Sequence, residues 1–165
     1  MKTLRRFRRP ISVSMILILA AWQVAIPVRS ATVNWTAGSG ADFLWSNNAN
    51  WDVGVPIAVD NLVFGTPIPN PGALLNPNGI TLGAGSIGNA LMFQDSYTLT
   101  GGDLTLSSGS IRVDLAQTAT IGSLIAGTAG LTLSGGGALR LTNLANSYTG
   151  ATLINSGLLI ITDQA

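Results

Sequence analysis

The sequence contains no cysteine, no histidine and no glutamate, and its one lysine is Lys2, in 165 residues. Without cysteine there is neither a disulfide framework nor a thiolate to attack a substrate or hold zinc, so stability rests on burial and backbone pairing. Without histidine, and with no lysine beyond Lys2, a serine nucleophile has no customary base, and none of the serines stands as a candidate for acyl transfer. Charge of either sign is scarce, at 9% of residues. Amphipathic helices place Glu, Lys and Arg on their wet face, whereas Thr, Ser, Asn and Gly, which carry the polar positions here, suit strands and corners. These absences select an all-β class.

What charge there is divides unevenly along the chain. Lys2, Arg5, Arg6, Arg8 and Arg9 precede an apolar run from Ile11 to Ile26, and Val28-Arg29-Ser30 supplies small residues three and one positions before a cut. This is the pattern of a Sec-type signal peptide over 1–30. A retained membrane anchor fits less well, because Ser12, Ser14 and Gln23 interrupt the run and Pro27 ends it short of the ~20 apolar residues a span needs. Beyond Ser30 only Arg112 and Arg140 oppose seven aspartates, a formal net charge of −5. An acidic, lysine-free chain attracts neither nucleic acid nor an anionic membrane surface. The expectation is a secreted or cell-surface protein with no nucleic-acid partner and no stable membrane span after signal cleavage.

Residues 31–65 hold the densest aromatics, Trp35, Phe43, Trp45, Trp51 and Phe64, together with Asp42, Asp52 and Asp60. The segment is turn-rich at its centre and extended at its edges, and reads as an irregular cap, since the end of an open β-array must be covered. Residues 66–79 contain Pro67, Pro69, Pro71 and Pro77, which exclude a central strand and predict a linker or wrapping loop.

From Ile80 to Ile161 short runs alternate apolar and polar residues, as in Tyr97-Thr-Leu99, Leu104-Thr-Leu106, Leu131-Thr-Leu133 and Ala138-Leu-Arg-Leu141. That period of two belongs to strands with one buried face. Gly and Asn corners separate the runs. Residues 97–107 align with 131–142 at an offset of 34, with one insertion after the glycine pair. A degenerate repeat of short strands and glycine corners predicts a β-solenoid over 80–165. Alternation alone fits an antiparallel sandwich equally well, but the sole Asn-Gly hairpin signal, Asn78-Gly79, ends the Pro-rich stretch, which tilts the reading towards stacked coils.

Candidate chemistry is thin. Asp103 with Asp114, or Asp52 with Asp60, are the available carboxylate pairs for glycoside hydrolysis, yet isolated aspartates in such a chain ordinarily cap turns. A β-helix lyase would need Arg112 or Arg140 as its base beside an aspartate-bound Ca²⁺, and arginine stays protonated. Gly101-Gly102-Asp103 lacks the continuation of a Ca²⁺-binding nonapeptide. The chain reads as non-enzymatic, with no cofactor and no metal site. A binding role rests on Trp35, Trp45, Trp51 and Asp52, which would make a glycan-stacking surface if their rings were exposed; otherwise they fill the cap.

One stretch carries a family likeness. Leu131-Thr-Leu-Ser-Gly135-Gly136-Gly-Ala-Leu, followed by Asn146-Ser-Tyr148-Thr149-Gly150-Ala-Thr152-Leu-Ile154-Asn155-Ser-Gly157-Leu-Leu, resembles the autotransporter-associated β-strand repeat, also called the passenger-associated transport repeat. It departs at Ala151 and Leu153, where the family usually has Gly and Thr. The resemblance implies a right-handed parallel β-helix within a bacterial exported passenger, a scaffold or adhesin-like protein in which the repeat assists secretion and folding. It carries no catalytic residue. It also implies partners beyond Ala165, either further coils or a C-terminal translocator barrel; the chain is then either a truncated array with an open edge at Leu158–Ile161, the favoured expectation, or a short exported paralogue.

Overall fold

The computed structural model describes residues 30–66 and 78–162. The signal peptide expected over 1–30 thus lies outside the described residues except for Ser30, and the Pro-rich linker expected over 66–79 lies outside them except for Thr66, Asn78 and Gly79.

Among the described residues twelve strands follow one another: β1 (Thr32–Asn34), β2 (Asn61–Phe64), β3 (Gly79–Thr81), β4 (Ser86–Phe93), β5 (Tyr97–Thr100) and β6 (Asp103–Val113), then β7 (Thr118–Ile121), β8 (Leu124–Ala126), β9 (Leu131–Ser134), β10 (Ala138–Leu141), β11 (Thr152–Ile154) and β12 (Leu158–Ile161). One sheet runs β1-β2-β4-β6-β9-β11 with β8 also on β6; the other runs β3-β5-β7-β10-β12. Every pair of these strands is parallel. Strands that alternate between two sheets and pair in parallel with the strand one circuit later form a β-solenoid.

β4 and β6 each turn a corner within one strand. β6 pairs through Asp103–Thr105 with β8 and through Ser110–Arg112 with β9, so the solenoid has three walls. The corner widens from Asn89 alone in β4 to Ser107–Gly109 in β6, which is the register shift between these strands. At Gly109 the chain takes φ +65°, and a Cβ there would strike the carbonyl oxygen of Gly130 on the coil above. Only glycine meets both demands.

Register gives the coil length directly. Leu62 pairs with Leu91, Leu91 with Ile111, Ile111 with Leu133 and Leu133 with Ile154, steps of 29, 20, 22 and 21 residues. The 34-residue offset read from the sequence is therefore not the structural repeat. Tyr97 and Leu131 lie on different sheets, so the alignment matched two different corners, about one and a half coils apart. Both corners carry a glycine run between two alternating strands, and that pattern does not say which walls it joins.

Inward side chains stack in columns. Ile80, Leu99, Ile121 and Leu141 form one column, each no more than 1% exposed, while Thr98 and Thr100 beside Leu99 face solvent. Each fully buried side chain of this kind is stabilised by about 1.5–3 kcal/mol relative to exposure, which a single coil alone would forgo.

The aromatic segment is joined to this array. β1 and β2 are rungs of the first sheet, and Phe64 stacks on Phe93 at 4.8 Å. Residues between β1 and β2 fold underneath as the cap. Trp51 bridges Trp35 in antiparallel sense, which covers the free edge of β1, and Trp45 N–H donates to Thr81 O, which covers the free edge of β3.

Candidate functional site

Two places were singled out by the sequence, the tryptophans near the N-terminus and the repeat near the C-terminus. The first offers no stacking face. Trp35, Trp45 and Trp51 are 3%, 2% and 4% exposed. Trp51 meets both other indoles edge-on with centroids 5.0 Å apart, and its Nε1–H donates to Trp45 O at 2.7 Å. The rings fill the cap, the second of the two readings the sequence offered, and none of the three indoles presents a stacking face at the surface.

Of the four residues proposed for that surface only Asp52 is exposed. It accepts from the Asn34 backbone N–H and from Asn34 Nδ2. Partial burial, the largest single influence, raises its pKa, but the hydrogen bonds from the Asn34 side chain and backbone together with those from the Val53 and Asp52 N–H groups hold the carboxyl below its usual range. Asp42 is lowered likewise, by the Leu44 N–H first and then by Asn47. Both aspartates tie loops together. Asp103 does the same through the Gly85 N–H, while Asp114 accepts from Arg112 Nε two residues before it, at 2.8 Å. Among the described residues no three acidic side chains gather to hold a metal ion.

The repeat is a site of a different kind, because nearly every residue of the motif acts on the coil below. Asn146 Oδ1 accepts from the Ile125 N–H at 2.8 Å, and the Ser147 and Thr149 N–H groups donate to Ile125 and Gly127 carbonyls. Residues 146–149 thereby lie on β8 as a rung. Tyr148 packs against the core with its hydroxyl 2.8 Å from Thr152 Oγ1. Gly150 is pressed so close to Gly130 that a Cβ would collide with its backbone. Thr152 and Ile154 bracket β11, and the Asn155 N–H donates to Leu133 O. Gly135 and Gly136 turn the corner at φ +104° and +103°, and Gly157, at φ +92°, turns the next one against the Gly137 carbonyl.

Two further residues belong to this set and were not singled out from sequence. Ser156 Oγ accepts from the Gly135 N–H, and Asn143 Nδ2 donates to Gly122 O while its Oδ1 accepts from Ala145 N–H. Their signal was a polar side chain at a corner adjoining a strand, a feature too common in this composition to stand out.

The coil that bears the motif is also the least buried. Leu153, Ile154, Leu158 and Ile161 are 54%, 49%, 58% and 62% exposed, whereas Leu133 and Leu141 directly beneath Ile154 and Ile161 are 2% and 1% exposed. Among the described residues β11 and β12 each pair with a strand on one side alone. The final coil is held almost wholly by what lies under it.

Comparison with known proteins agrees with this geometry. Residues 131–161 match the passenger-associated-transport-repeat family. The chain is 32% identical over 169 aligned residues to the adhesin BmaC autotransporter of Brucella suis biovar 1 (strain 1330), in an alignment that takes in 96% of this chain and 5% of that protein. The chain thus spans about a twentieth of the relative's length. No solved structure matches it. From its own coils and from these matches, the chain is a β-solenoid that carries a passenger-associated transport repeat at 131–161.

Proposed function

We propose that this chain is a non-enzymatic, exported β-solenoid passenger segment with a scaffold or adhesin-like role, delivered by the signal peptide at 1–30, in which the repeat assists secretion and folding. The observation that carries the reading is the asymmetry of the repeat coil. Its backbone and its Asn146, Asn143 and Ser156 side chains bond to the coil below, while its own apolar residues stand exposed. A coil of this form folds on a finished template and becomes the template for another, which suits a polypeptide that emerges from a membrane pore in one direction. The basic n-region and the likeness to an autotransporter adhesin support the exported setting. The partners that fit are further coils or a C-terminal translocator barrel.

The test is display. The chain is fused to a translocator barrel in a Gram-negative host, and protease-resistant passenger at the cell surface is measured. Asn146→Ala with Gly150→Val is expected to lower it several-fold, since one change removes the bond to Ile125 and the other forces the coil off Gly130. Equal display by the variant and the parent would sink the reading.

A further inference from the structure

Asp60 is 6% exposed, and a carboxylate so deeply buried ordinarily has a cation beside it. Here it has none. Among the described residues the one ion pair joins Arg112 to Asp114, and Arg140 is exposed on β10 of the other sheet. Asp60 is held by neutral donors instead: its Oδ1 accepts from the Ala31 N–H at 3.1 Å and its Oδ2 from the Ile57 N–H at 3.0 Å. The first of these donors is the residue that follows the expected signal cut at Ser30. Ser30 is exposed, whereas the Ala31 side chain packs against the core and its carbonyl accepts from the Asn61 N–H at 2.8 Å. The cut would thus fall where the chain passes from solvent into the fold.

We propose that Asp60 is the receptor for the amino terminus made by signal cleavage, so that loss of residues 1–30 supplies the missing cation. The proposal rests on the reading of 1–30 as a signal peptide. Hydrolysis breaks the C–N bond between Ser30 and Ala31 and forms a C–O bond to water, whose two protons end on the Ala31 nitrogen. The products are a Ser30 carboxylate and an Ala31 ammonium. The ammonium remains where the amide was, because the Asn61 N–H and the pairing of β1 with β2 hold Ala31 from its other side. A neutral hydrogen bond to Asp60 becomes a charge-assisted one, roughly twice as strong. The position of the cut matters: one residue earlier leaves the ammonium on exposed Ser30, and one residue later removes the Ala31 nitrogen altogether. Asp60 also joins elements, since it adjoins β2 and its carbonyl accepts from the Asn89 N–H of β4 at 2.7 Å. The start of the first sheet is therefore tightest only in the processed chain, and the precursor stays looser for its passage across the membrane.

The sequence beyond Ser30 contains no lysine, so in the processed chain acetic anhydride has a single amine to acetylate, the α-amine of Ala31. Acetylation restores the amide N–H and removes the charge. The 165-residue chain is expressed in a Gram-negative host, and the first residue of the exported product is read by mass spectrometry, with Ala31 expected. Urea unfolding at pH 7 then compares that product, its acetylated form, Asp60→Asn and acetylated Asp60→Asn. Acetylation is expected to lower the folding equilibrium constant of the unaltered chain about fivefold to tenfold, and that of Asp60→Asn less than about twofold. An α-amine titrates near 8 when free, and pairing raises its folded value. The cost of acetylation should therefore be full below about pH 8 and fade as pH climbs past the folded value. Asp60 supplies the one titratable group bonded to the Ala31 nitrogen, and the acetylated chain shares every other group, so their titrations cancel. The pH series on the unaltered chain decides the matter if Asp60→Asn fails to fold. Stability indifferent to acetylation, or a cost as large in Asp60→Asn, would overturn the pairing and leave the cleavage reading in place. An exported chain that begins at another residue would overturn both.

Discussion

One column of side chains allows the stacking argument to be tested as a gradient. Ile121, Leu141 and Ile161 occupy the same position on successive coils, 0%, 1% and 62% exposed. Ile121→Ala and Leu141→Ala remove groups enclosed on all sides, and each should cost about 2–5 kcal/mol, the transfer loss plus that of an unfilled cavity. Ile161 has little more than a third of its surface covered, so the same fraction of the ~1.5–3 kcal/mol for a fully buried side chain gives about 0.5–1 kcal/mol, with no cavity to add. The assay is urea denaturation followed by far-ultraviolet circular dichroism and tryptophan emission. If Ile161→Ala costs as much as Leu141→Ala, the final coil is not open and the reasoning fails.

Gly109→Ala should destabilise by about 2–4 kcal/mol in the same assay, since φ +65° is strained for alanine and the new methyl meets the Gly130 carbonyl. Thr105→Ala, on the same strand and short of the corner, is the control, with little expected change. Tyr97 is buried, and burial first, then the charge of Asp95, pushes its phenol above the ordinary range. A group whose folded pKa is raised contributes stability that is fully present below the unfolded value, about 10, and is lost as pH climbs past it towards the folded value. The alkaline limb of a stability–pH curve should therefore flatten in Tyr97→Phe. That variant also gives up the hydrogen bond to Gly65 O, at about 1 kcal/mol near neutral pH. An unchanged alkaline limb would refute the assignment.

Much of this fold was legible in the residues. The alternation in Tyr97-Thr-Leu-Thr or Leu131-Thr-Leu-Ser fixes which side chains face inward, because a strand has a period of two and a one-residue slip would expose every leucine. The glycine runs mark the corners for an equally local reason, since left-handed backbone is nearly closed to other residues. The coil length was not legible. Walls of three or four residues separated by similar glycine corners look alike, and the 34-residue offset matched a corner entering the first sheet with one leaving it. The fate of the tryptophans was hidden for a different reason. Trp35, Trp45 and Trp51 beside aspartates describe a sugar platform and a plugged core equally well, and only the antiparallel bridge from Trp51 to Trp35 turns the rings inward.

The sequence by itself determined the class and its means of support: strands from alternation, corners from glycine, no disulfide, and a recognisable repeat near the C-terminus. These are local properties, readable residue by residue. Only the tertiary structure decided which rung stacks on which, because parallel pairing joins residues about 20 apart with no covalent trace of the match. It alone showed that one end is sealed by indoles while the other presents Ile154 and Ile161 half bare or more. Burial of a coil depends on its neighbours in space, and those are set only when the whole column is assembled.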